Sequence, residues 1–186
     1  MLAELVRSRF SSPLKTLEEL FSRLCFNILV GNTDDHARNH AAFWDGEMLS
    51  LTPAYDIAPQ RRGTPEANQA MIVAGASRAA QLTNALAVSP SFLLSQLQAR
   101  AIVDDQAAAI VANWRATCDE AGMTPIERRF LKGARSSTAT PSKVMAPPLS
   151  FRAEQHFLFS SGTSKCFAHL QDPDTEKTHP AGKPVV

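Results

Sequence analysis

The sequence predicts a mainly α-helical domain that carries one small β-hairpin and is followed by a disordered tail. Three observations predict it. From Leu14 onward apolar residues recur at helical spacing. Asp45-Gly46 lies between two short apolar runs, a strong hairpin signal. Beyond about residue 134 the chain turns rich in Ser, Thr and Pro, including Pro141, Pro147, Pro148, Pro173, Pro180 and Pro184.

In chain order, Leu14 to Gly31 reads as a helix, with Thr16 as its cap and Glu19 three residues on, as in a capping box. Leu20, Leu24, Asn27 and Ile28 are expected on one face, and Gly31 stops the helix. Asn32 to Asp35 is a polar turn or helix entry, because its side chains compete with regular backbone pairing. Ala41 to Trp44 and Met48 to Leu51 are the hairpin strands, and Pro53 and Pro59 bracket an irregular segment around Asp56. Ala70 to Val73 is expected to form a small strand. Helices follow over Gln81–Ala87, Ser89–Ala99 and Asp104–Ala121; Ile110, Val111, Trp114 and Cys118 stripe the last, and Gly122 ends it. Thr124-Pro125 starts a final helix. The ordered domain is expected over 2–134. The tail, 135–186, has one apolar stretch at Leu149 to Phe159, and its composition also fits translation from a shifted frame; no chemistry is assigned to it.

With 186 residues the chain is long enough for one domain with a real core. Its 19 basic and 18 acidic residues give no electrostatic case for binding nucleic acid or a membrane surface. No apolar run is long enough to span a bilayer, and Glu4, Arg7 and Arg9 interrupt any secretory signal. Cys25, Cys118 and Cys166 follow no metal or disulfide spacing, and Cys25 reads as a buried free thiol. A reducing, intracellular compartment fits.

The chemistry is concentrated in two segments, Gly31–His40 (GNTDDHARNH) and Thr52–Ile57 (TPAYDI). Phosphoryl transfer needs a carboxylate to orient and deprotonate a hydroxyl and an oxygen pair to hold magnesium against ATP phosphates. Asp34, Asn39 and Asp56 supply those types, and the hairpin between Asn39 and Asp56 would fold the two segments together. Asp56, between Tyr55 and Ile57, is expected to be at least partly buried, where it would need a cation or strong donors. The same residues also fit a structural role: Asn32, Thr33 or Asp34 capping a short helix over Asp35 to Ala42, with His40 neutral against the core. Zinc is a third possibility, since His36 and His40 lie four apart, but Ala37 stands where a general-base glutamate would follow the first histidine.

GNTDDHARNH followed by TPAYDIAP resembles the C-terminal lobe of the HipA family, the serine/threonine kinase toxins of bacterial toxin–antitoxin modules. ELFSRLCFNILV before it and RAIVDDQAAAIVANWRATCDEAG after it are similar to that family's flanking helices, so the resemblance covers about Leu2 to Ala134. It implies a protein-kinase-like C-lobe of HipA type that transfers the ATP γ-phosphoryl group to a protein hydroxyl with Mg2+. It further implies Asp34 as catalytic base, Asn39 and Asp56 as magnesium ligands, and His36 beside the nucleotide. Arg38 falls where the family carries a basic residue, and Asp35 is left as a solvated helix-start carboxylate. A helix-turn-helix antitoxin of HipB type and a protein substrate are the implied partners, in the cytoplasm, with no direct contact to nucleic acid.

Before Gly31 there is no glycine, and Lys15 is the only lysine. A phosphate-covering loop and its lysine are therefore expected to be missing from these 186 residues, leaving the polypeptide inactive by itself. The alternative is a catalytically inactive remnant or an antitoxin-binding module without the nucleotide-binding lobe.

Overall fold

Helix α2 (Pro13–Val30) organises the domain because its second half is enclosed on every side. From Leu20 to Val30 none of its residues is exposed. A helix segment with no solvent-facing side needs other elements packed around it. The computed structural model describes residues 2–60, 67–132, 155–160, 165–170 and 184–185.

Three clusters surround α2. Leu17 and Leu20 pack with Ala3, Val6 and Phe10 from α1 (Leu2–Arg9) and its exit, under Leu49 and Leu51. Phe21, Cys25 and Ile28 pack against Ala85 of α3 (Leu82–Ala87) and Ala99 and Val103 of α4 (Gln96–Glu120). Val30 meets Ala54 and Ile57, with Ile110 of α4 alongside. The face expected to carry Leu20, Leu24, Asn27 and Ile28 is divided between clusters: Leu20 packs with α1, Ile28 with α3 and α4, and Asn27 bonds to Asn32. Burial holds the Cys25 thiol protonated, its pKa pushed up to about 12, and both Cys25 and Cys118 are buried free thiols.

The helix starts earlier than its sequence cap implied. Ser12 takes the N-cap position, Pro13 the first turn, and Thr16 is buried inside, its N–H bonding to the Ser12 carbonyl. Proline's fixed φ already matches the first helical turn, so it competes well for that position. At the other end Gly31 adopts φ 77°, the left-handed cap the sequence predicted. Helix α1 has no counterpart in the sequence reading, because eight residues give too few turns for a clear period.

Strands β1 (Ala42–Trp44) and β2 (Leu49–Leu51) form the predicted antiparallel hairpin, with Ala42 opposite Leu51 and Trp44 opposite Leu49. Asp45 Oδ1 accepts the N–H groups of Glu47 and Met48, both at 2.8 Å, while Gly46 takes φ 110°. The turn residues alone thus specify the reversal. Ser11 N–H reaches the Leu49 carbonyl at 3.0 Å and anchors the hairpin to the start of α2.

Three further expectations are corrected. Ala70 to Val73 is not a strand; only isolated bridges join Asn68 to Ala79 and Ala74 to Ser77. Ser89 to Ala99 splits into a 3-10 turn (Ser89–Phe92) and the first turn of α4. α4 is one helix of 25 residues, because Ser95 and Gln98 form a reciprocal capping box and no Gly or Pro interrupts it until Gly122. Its expected apolar stripe is only partly used: Cys118 is buried and Val111 exposed. α5 (Pro125–Lys132) begins as predicted, with Thr124 and Glu127 bonded reciprocally.

The expectation of a disordered tail over 135–186 falls mostly outside the described residues. Within it lie β3 (Gln155–Ser160) paired antiparallel to β4 (Lys165–Leu170), and β5 (Pro184–Val185) added to the free edge of β1. Among the described residues no helix is long and apolar enough to cross a membrane.

Leu93 has φ 58°, a left-handed conformation that costs a Cβ-bearing residue about 1–2 kcal/mol. Its side chain is 54% exposed, so it contributes little packing to offset that cost. Leu93→Gly is expected to raise stability by about 0.5–1 kcal/mol, read from the urea unfolding midpoint.

Candidate functional site

The end of α2 and the two polar segments meet in one cleft. Gly31 turns the chain out of the helix, and Asn32, only 2% exposed, locks the exit. Its Nδ2 donates to Asn27 Oδ1 at 3.1 Å, and its Oδ1 accepts the Asp34 N–H at 3.3 Å. A single 3-10 turn over Ala37–Asn39 follows, where the alternative structural reading would place a helix from Asp35 to Ala42. The chain then enters β1, reverses, and returns through Thr52, whose N–H and hydroxyl both donate to the Ala41 carbonyl.

This return sets Asp56 beside Asn39: Asn39 Nδ2 donates to Asp56 Oδ2 at 3.1 Å. One residue earlier on each segment, the Tyr55 hydroxyl donates to the Arg38 carbonyl at 2.6 Å. Two adjacent hydrogen bonds therefore join the strand-return segment to the 3-10 turn. Tyr55→Phe removes one of them and is expected to cost about 0.5–1 kcal/mol in chemical denaturation.

The cleft is lined by Arg23, Asn27, Asn32, Asp35, Asn39, His40 and the Ala54–Ile57 segment. Asp56 is exposed at its rim, which corrects the expectation of burial. Its left-handed backbone, φ 57°, is one that aspartate tolerates better than most residues. Buried Ile57 next in the chain anchors the segment instead.

Asp35 is also corrected. It is not a solvated helix-start carboxylate but is 5% exposed, with Oδ1 3.0 Å from His40 Nε2. Arg23 crosses the floor: Nε pairs with Glu19 at 2.7 Å, and Nη2 donates to the Thr52 carbonyl at 2.7 Å. Among the described residues, three buried polar atoms of this cleft have no hydrogen-bond partner: Arg23 Nη1, Asn39 Oδ1 and His40 Nδ1.

Asp34 and His36 stand outside that lining. Asp34 Oδ1 is 2.6 Å from His36 Nε2, and their side chains are 65% and 37% exposed. The four residues singled out in the sequence thus form two pairs, Asn39 with Asp56 and Asp34 with His36. His36 and His40 flank the 3-10 turn and face different carboxylates, so they share no helix face as a zinc pair would. Among the described residues no group of three or more His, Cys, Asp or Glu side chains can hold a metal ion. A cation here would depend on amide and carboxylate oxygens together.

A family model, the HipA-like C-terminal domain, matches residues 1–114. The chain belongs to the HipA-like C-terminal domain family. A search of curated proteins found no match. The match takes in α1 to α3, the hairpin, every residue of the cleft and most of α4. Sequence reasoning about this HipA-like domain missed Arg23, Asn27 and Asn32 as lining residues. Their signal was an Arg and an Asn placed four apart in an otherwise apolar helix, where a polar side chain needs a buried partner.

Proposed function

We propose that the chain is the C-terminal lobe, over about residues 2–134, of a HipA-like serine/threonine protein kinase that transfers the ATP γ-phosphoryl group to a protein hydroxyl. The observation that supports this most is the Asn39–Asp56 hydrogen bond, which joins the two segments carrying the oxygen ligands. A carboxylate only accepts, so the Asn39 amide nitrogen faces Asp56, and its Oδ1 is buried with no partner among the described residues. An amide oxygen and a carboxylate are the hard oxygen types that Mg2+ prefers, so the chemistry of Asn39 and Asp56 fits the ion.

Asn39 and Asp56 would hold Mg2+, which when bound neutralises charge on the ATP phosphates. Asp34, at the exposed edge, orients the substrate hydroxyl and accepts its proton as the oxygen bonds to the γ-phosphorus; the bond to the β-phosphate oxygen breaks and its electron pair leaves with ADP. His36 steadies Asp34 through the 2.6 Å contact and borders the nucleotide. The exposure of Asp34 suits a protein substrate. A HipB-type helix-turn-helix antitoxin is the partner that family membership supports, and buried free thiols suit the cytoplasm.

These 186 residues have no glycine before Gly31 with which to cover phosphates, so a nucleotide-clamping lobe must come from another segment or chain. The test is reconstitution with such a lobe supplied in trans. Phosphorylation of a protein substrate is expected with Mg·ATP, to be lost on chelation with EDTA and in Asp56→Asn. Transfer that persists in both would refute the assignment of the ion to this site.

A further inference from the structure

The cleft contains a buried carboxylate–imidazole pair that the proposed chemistry leaves unused. Asp35 and His40 sit at the two ends of a six-residue loop whose 3-10 turn ends in Asn39. Both side chains are at least nine-tenths buried, at 6% and 7% exposure, and both residues line the cleft. The 3.0 Å contact between Asp35 Oδ1 and His40 Nε2 closes the loop on itself. Backbone bonds from Asn39 N–H to the His36 carbonyl and from His40 N–H to the Ala37 carbonyl leave the turn short. A turn of three residues has little rigidity by itself. Something else must hold its last residue in place.

We propose that Asp35 and His40 are a positioning pair that aims the Asn39 side chain at Asp56. The proposal rests on the reading of Asn39 and Asp56 as magnesium ligands. A carboxylate can only accept, so Nε2 of His40 carries the proton of this bond, whichever state Nδ1 has. With His40 fixed by its ring, the backbone of the preceding residue is held at the end of the closed loop. Asn39 Nδ2 reaches Asp56, while its Oδ1 is buried and, among the described residues, has no hydrogen-bond partner. Groups that orient a metal ligand without touching the metal commonly change affinity about 10–100-fold when removed.

The experiment measures Mn2+ affinity of the full chain, by electron paramagnetic resonance of the free ion, beside thermal melting of each variant. His40→Phe keeps a ring but no donor, and is expected to weaken Mn2+ binding about 10–100-fold. His40→Gln places an amide nitrogen near the former Nε2 and is expected to recover most of the affinity. A merely structural pair would lower the melting temperature without this rescue pattern in affinity. If Asp56→Ala loses Mn2+ while folded His40→Phe binds as wild type, the positioning role alone is overturned. If the wild-type chain binds no Mn2+, or Asp56→Ala binds it equally well, the magnesium reading fails and the positioning role with it. Should His40→Phe not fold, long-range 1H–15N spectra of the wild-type ring decide: an Nε2–H donor supports the pair, and a ring protonated at Nδ1 alone overturns it.

Discussion

Asp34→Asn is expected to lower phosphoryl transfer by the lobe-complemented chain about 10²–10⁴-fold, the usual contribution of a positioned general base. The substitution keeps the size of the side chain and removes its capacity to take a proton. Asp34 is 65% exposed and outside the cleft lining, so neither folding nor the Asn39–Asp56 contact depends on its charge. Binding of Mg·ATP should therefore be nearly unchanged while turnover collapses, a split visible by calorimetry beside a transfer assay. An unaltered rate would remove Asp34 from the chemistry. The proposed family reaction would then need another base.

The largest expected loss of stability comes from Phe21→Ala, at about 3–5 kcal/mol. Phe21 is fully buried at the centre of the cluster that joins α2 to α3 and α4, and its ring meets Phe92 edge-on with centroids 5.5 Å apart. Truncation loses the transfer free energy of the ring and leaves a cavity that three separate elements would have to collapse to fill. Because α2 carries Arg23 and Asn27 into the cleft, the same change should loosen the site. Urea denaturation measures the first effect and Mn2+ affinity the second. A loss below about 1 kcal/mol would mean that the α2 core repacks freely, contrary to the dense packing expected of a protein interior.

Much of the fold was readable because it depends on neighbours in the chain. Gly31 ends α2 since a left-handed cap favours glycine, Asp45-Gly46 reverses the hairpin through Asp45's own backbone bonds, and Thr124 with Glu127 starts α5. The failures have the same logic. Thr16 is a plausible cap, but Ser12-Pro13 upstream competes better; α4 runs on where its sequence offers no breaker; and the strand-like segment 70–73 has, among the described residues, no strand to pair with.

The candidate site divides along the same line. That Asn39 and Asp56 could meet was visible in the letters, because a tight hairpin fixes how the chain returns and hydrogen bonds act over short distances. Which carboxylates are buried was not. Asp35 is enclosed with His40, and Asp56 stands at an open rim, though their flanking residues suggested the reverse. Burial is decided by what distant parts of the chain bring to the same place: here Arg23 of α2, and Ala54 and Ile57 after the hairpin, line the cleft with Asp35 and His40. Local chemistry therefore chose the turns and the ligand types, while tertiary packing alone chose which side chains face water and which must find a partner inside.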